Sequence, residues 1–141
     1  MRLETKLVNL DVDDQYGATN TPVYLTNSFA YDSPEELEKV FNHRAPGYIY
    51  TRINNPSLRK VEEKLASLEA GQEAILTGSG MAAISTATLT LLQAGDEFVA
   101  ANSLFGGTYN LFNSYREYGI TPRFSSGVEA EAIEAEITDK T

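Results

Sequence analysis

Ala74-Ile75-Leu76-Thr77-Gly78-Ser79-Gly80-Met81-Ala82-Ala83-Ile84 carries three signals in succession. A short apolar run predicts a buried strand over 74–77. Gly78-Ser79-Gly80 then turns the chain into an apolar helix, expected from Met81 to Gln93 and stopped at Gly95-Asp96. Because that helix is nearly all apolar or small, burial is expected. Downstream the alternation continues. Phe98 to Ala101 reads as a strand, and Gly106-Gly107 leads into a helix from Tyr109 to Tyr118, ended by Gly119. Ile120 to Ser125 is strand-like, with Pro122 expected at a sheet edge or strand start. Val128 to Ile137 is a last helix. Such β-α-β-α-β-α order predicts an α/β fold with a mostly parallel sheet covered by helices. Three strands leave both sheet edges open, which suggests a piece of a larger fold or a chain that needs a partner.

Upstream, Ser33-Pro34-Glu35-Glu36 is a helix start: serine as cap, proline at the first position, glutamate at the third. That helix is expected to reach about Asn42. A second is expected from Pro56, capped by Asn55, with Leu58, Val61, Leu65 and Leu68 on one face and Gly71 as its end. Residues 44–55 have loop composition, and Pro22 to Leu25 looks extended. Residues 1–20, with Asp11, Asp13 and Asp14, read as an arm or irregular lead-in.

The chain has 141 residues, 42% hydrophobic and 22% charged, which suits one domain with a genuine core. It has no cysteine and one histidine, His43, expected at the surface. Disulfides, thiolate nucleophiles and Cys/His metal clusters are thereby excluded, and no metal site is expected. A net charge of −9 disfavours nucleic acid and anionic membrane as partners. No apolar run reaches membrane-spanning length and no signal region follows Met1, so the expected location is cytoplasmic. Glu129, Glu131, Glu134, Glu136 and Asp139 read as a solvated helix face.

Three groups of residues could carry chemistry. Thr77 to Ala83 places a glycine turn before a helix, where free amides and the positive dipole end favour a phosphate. The same turn could serve only to pack helix on strand. As G-x-G-x-x-A it also fits a dinucleotide fingerprint, but poorly: the next strand ends Ala100-Ala101-Asn102, without the acid that would bind ribose. Tyr48-Ile49-Tyr50-Thr51-Arg52 sets tyrosines and an arginine in a loop, and guanidinium forks match phosphate oxygens. Solvated arginine and packed rings are an equal alternative. Leu104-Phe105-Gly106-Gly107-Thr108-Tyr109 follows a strand at the carboxyl end of the sheet, where open α/β folds bind ligands. On these residues alone, Phe105 reads more readily as core.

In order and spacing, Gly47-Tyr48-Ile49-Tyr50-Thr51-Arg52 with Asn55-Pro56, Thr77 to Ala83, and Leu104 to Tyr109 resemble the Cys/Met-metabolism family of pyridoxal-phosphate (PLP) enzymes. Tyr16-Gly17 and Pro22-Val23-Tyr24 fit the same family. The resemblance implies part of a fold type I PLP-dependent transferase, a three-layer αβα fold with an N-terminal arm. Residues 1–55 would supply arm, helix and phosphate-contacting loop, and 56–141 the start of a truncated large PLP-binding domain. It implies that Tyr50 and Arg52 reach the PLP phosphate of a neighbouring protomer, and so a homo-oligomer. It implies that Gly80 and Met81, with Ser79 beside them, hold the phosphate of the same protomer's PLP. Phe105 falls where the family commonly stacks a tyrosine on the pyridine ring. Phenylalanine keeps the ring and loses the hydroxyl.

The family's cofactor-bearing lysine and the aspartate facing the pyridine nitrogen lie further along than this chain, so no catalytic residue is assigned within it. Lys6, Lys39, Lys60, Lys64 and Lys140 match no such context. Within the family the motifs look most like O-acetylhomoserine sulfhydrylases, which exchange the acetyl ester of homoserine for sulfide. Methionine gamma-lyase and cystathionine gamma-synthase or lyase are the alternatives. A non-catalytic fragment that binds a partner chain is the alternative of another class.

Overall fold

The computed structural model describes Thr5 and residues 16–141; most of the expected arm, with Asp11, Asp13 and Asp14, lies outside the described residues. The chain forms two compact units, Met1–Leu76 and Thr77–Thr141.

In the first unit, α1 spans Pro34–Phe41. Ser33 is extended and its Oγ accepts from the Glu36 amide at 3.2 Å, while Glu35 and Glu36 sit in the first turn, where the helix dipole favours them. The helix stops at Asn42, and the exposed His43 turns the chain with φ 55°. Helix α2 spans Pro56–Leu68, with the Asn55 side chain accepting from Ser57 N at 2.8 Å. Its end departs from expectation by one residue. Ala70, not Gly71, takes the left-handed conformation, and Gly71 N donates to Ala66 O at 2.8 Å, the Schellman closure. The apolar stripe of α2 is also more open than its spacing predicts. Only Ala66 is buried, and Leu58, Val61 and Leu65 stay at least 40% exposed. Arg59 grips Glu73 through two bonds of 2.6 and 3.3 Å; that hydrogen bond and the guanidinium charge hold the Glu73 carboxyl below its ordinary range. The loop over 44–55 pairs briefly with residues 27–29. Phe29 N donates to Ile49 O at 3.0 Å, Thr51 N to Asn27 O at 2.9 Å, and Ser28 bridges Tyr50 antiparallel.

The second unit is an α/β arrangement. It contains α3 (Gly80–Leu91), β1 (Glu97–Ala100), α4 (Gly106–Ser114), a 3-10 turn (Tyr115–Tyr118), β2 (Thr121–Phe124) and α5 (Ala130–Glu134). Strands β1 and β2 pair in parallel, Glu97 with Thr121 through Ala100 with Phe124, and α4 is the crossover between them. Gly119, at φ 78°, ends the 3-10 turn; its carbonyl accepts from Gly95 N at 2.8 Å. The core is Ala100, Phe112, Tyr115 and Ile120, with Ile84, Leu92, Phe98, Leu104, Leu111 and Phe124 packed round it. Phe98 meets Phe112 edge-on at 4.9 Å, and the Tyr115 hydroxyl bonds Thr88 Oγ1 at 2.8 Å. Pro122, the second residue of β2, is fully buried, and in this two-stranded sheet β2 is an edge strand among the described residues, as expected for a proline.

Three expectations fail here, for related reasons. Residues 74–77 form no strand, and Ile75 is 76% exposed, because no described segment offers them a ladder. Helix α3 has no buried residue, and Leu91 is 82% exposed; it packs one side on α4, and an all-apolar helix needs cover on more than one side. The last helix shrinks from 128–137 to Ala130–Glu134. Among the described residues no helix is long and apolar enough to cross a membrane.

Candidate cofactor-binding site

Ser79 is the hinge of the first group. It is extended, with φ −163° and ψ 159°, and its Oγ accepts from Ala82 N at 3.1 Å. Its carbonyl accepts from Ala83 N at 3.0 Å and from Thr77 Oγ1 at 2.9 Å. Of the orphan amides at the start of α3, the Ser79 side chain thus satisfies that of Ala82, while Ala83 N makes the first regular helix bond. Those of Gly80 and Met81 meet no acceptor among the described residues. A Cβ placed on Gly78 or Gly80 would meet nothing within 4 Å. Among the described residues, two amides without an acceptor therefore lie at the positive end of a helix, with open space beside Gly80.

Met81 joins this turn to the loop after β1. Thr108 Oγ1 lies 3.9 Å from Met81 Sδ, and that sulfur is 3.7 Å from where a Gly107 Cβ would stand. Phe105, before α4, is 77% exposed and so is not a core ring. Its Cε1 lies 2.7 Å from the Gly107 Cβ position, a separation that a real Cβ would not tolerate. Glycine at 107 lets the ring lie against the backbone. One α/β unit thus brings the start of α3, with Ser79, Gly80 and Met81, against the start of α4, which Phe105 precedes.

Tyr50 and Arg52 belong to the other unit. Tyr50 is 41% exposed, and the Arg52 guanidinium carbon sits 5.5 Å from its ring centroid, within cation–π range. No carboxylate pairs with Arg52 among the described residues, and the side chain is exposed. Among the lysines, Lys60 pairs with Glu63 at 3.1 Å, whereas Lys39 and Lys140 are exposed.

The sequence marks Asn55 as a helix cap and as part of the Asn55-Pro56 motif, but not as a buried donor. It is 3% exposed, and its amide nitrogen also donates to Tyr24 O at 3.1 Å and to Thr51 Oγ1 at 3.0 Å. Burial of an asparagine at a helix start has no local signature in the sequence.

The family described as Cys/Met metabolism PLP-dependent enzyme matches residues 4–141. This chain belongs to that family. It is 41% identical over 120 residues to O-acetyl-L-homoserine sulfhydrylase 1 of Thermus thermophilus, a match covering 84% of this chain and 28% of that one. With the L-methionine gamma-lyase of Porphyromonas gingivalis it shares 37% identity over 131 residues, 92% of this chain and 33% of the relative. The crystal structure of metY from Campylobacter jejuni superposes with a TM-score of 0.91 at 26% identity, over all of this chain and 35% of that one. That structure carries N'-pyridoxyl-lysine-5'-monophosphate. The chain therefore spans about a third or less of the length of the relatives it matches, and its fold is part of the fold type I PLP architecture.

The residues present fit PLP. A phosphate dianion needs backbone donors that the protein does not itself occupy, and Gly80 N and Met81 N, at the start of α3, meet no acceptor among the described residues. A pyridine ring needs an accessible aromatic face, and Phe105 offers one.

Proposed function

We propose that this chain is the N-terminal part of a PLP-dependent sulfur amino-acid enzyme that exchanges the acetyl ester of O-acetylhomoserine for sulfide. The observation that carries this reading is the pair of amides at Gly80 and Met81 that meet no acceptor among the described residues, in the same α/β unit as the exposed Phe105 ring. When bound, PLP supplies an electron sink for charge developing on an amino-acid substrate. Gly80 N–H and Met81 N–H donate to its phosphate, and the Ser79 hydroxyl keeps a proton to add, since its oxygen already serves as the cap. Arg52, steadied by the Tyr50 ring, neutralises the phosphate of a neighbouring protomer's PLP. Phe105 orients the pyridine ring by its face and holds no proton, so proton transfer falls to groups other than residue 105. By role, residues 1–55 supply arm and loop, and 56–141 begin the large cofactor domain. The assembly is a homo-oligomer, acts on small amino acids and resides in the cytoplasm.

Similarity to the Porphyromonas gingivalis lyase favours a second reading, methionine gamma-elimination. Assay of the full-length holoenzyme separates the two. The proposal expects sulfide-dependent release of acetate from O-acetylhomoserine, with methionine a poor substrate. Efficient methanethiol release from methionine, with no sulfide-dependent turnover, would replace it by the lyase reading.

A further inference from the structure

We infer that Thr51 and Asn55 are positioning residues that set the phosphate grip of Tyr50 and Arg52. The inference rests on the reading of Tyr50 and Arg52 as phosphate contacts. Arg52 is long and exposed, with no carboxylate partner among the described residues, so its reach is governed by where the backbone holds it. That backbone is held on both sides. After Arg52, the amides of Ile53 and Asn54 both donate to Tyr50 O, at 2.9 and 3.1 Å. Before it, Thr51 N donates to Asn27 O at 2.9 Å, and Thr51 Oγ1 donates to Thr26 O at 2.5 Å.

The direction of this relay follows from the donors. Asn55 Nδ2 can only donate, so Thr51 Oγ1 accepts from it at 3.0 Å, and the single hydroxyl proton goes to the Thr26 carbonyl. The second Nδ2 proton meets Tyr24 O at 3.1 Å. Oδ1 accepts from Ser57 N at 2.8 Å, which caps α2. Capping alone would be served as well by aspartate or serine. What an amide adds is two donors. Here both are used, in a buried position, to tie residues 24–26 and the Tyr50–Arg52 loop to one helix start. A purely structural cap would not need them.

The test measures PLP and pyridoxal affinities of the full-length apoenzyme, because only PLP reports on the phosphate grip. Asn55→Asp keeps the cap oxygen and loses both donors. Thr51→Val removes the hydroxyl at nearly constant volume. Each is expected to lower the PLP-to-pyridoxal affinity ratio about tenfold, the scale of one hydrogen bond's contribution. Thr51→Ser, which retains the hydroxyl, is expected to keep the ratio. If Thr51→Val weakens both ligands in parallel, or changes neither, while Arg52→Ala lowers the ratio, the positioning role is wrong and the phosphate reading stands. If Arg52→Ala itself leaves the ratio unchanged, the phosphate reading of Arg52 fails, and the inference with it.

Discussion

Replacing Gly80 by proline in the full-length enzyme is expected to weaken PLP binding about 10- to 100-fold with little change in thermal stability. Gly80 is the first residue of α3, the position where proline fits a helix best. Ser79 already has the extended backbone that a residue before proline requires. No atom within 4 Å would meet a Cβ there. Proline therefore deletes one N–H and little else. A hydrogen bond to a charged group contributes about 1.5–3 kcal/mol, which sets the size of the loss. Titration of the apoenzyme with PLP, and with pyridoxal as the control lacking a phosphate, checks it. Equal PLP affinity in variant and parent would remove Gly80 from the site.

The second large effect concerns Arg52. Arg52→Ala is expected to cost about 100-fold in PLP affinity, and Arg52→Lys to recover only part, because an ammonium lacks the planar fork. If Arg52 serves the neighbouring protomer, the two lesions complement each other. In a hybrid of an Arg52→Ala protomer with a Gly80→Pro protomer, one site draws intact Gly80 from the first and intact Arg52 from the second. Random mixing of the two variants should then restore about one quarter of the sites, as two-fold symmetry of a dimer requires. No restoration on mixing would mean that Arg52 acts within its own protomer.

What was legible was local. Ser33-Pro34 and Asn55-Pro56 announced both helix starts, because cap and proline act within one turn. Strands β1 and β2 fell within one residue of their expected bounds at most positions. The Gly78–Gly80 turn is readable as a helix start for the same reason: the turn glycines and the cap act locally. Helix α4 begins at Gly106, three residues before the expected Tyr109, since two glycines argued for a loop where the chain is already helical. The misses were non-local. Residues 74–77 look like a strand, yet a strand exists only with a ladder partner, and a single run of text does not name one. The Asn55 relay reaches residues 25 to 31 positions away along the chain from its members, beyond any capping motif. On local sequence Phe105 reads more readily as core, and its 77% exposure overturns that reading.

A crystal structure of the full-length PLP-loaded enzyme tests the central claim most directly. The account predicts a phosphate oxygen at hydrogen-bonding distance, about 2.7–3.1 Å, from both Gly80 N and Met81 N, with a neighbour's Arg52 on the same phosphate. A phosphate seated elsewhere, with those two amides capped by the protein's own oxygens, would contradict it.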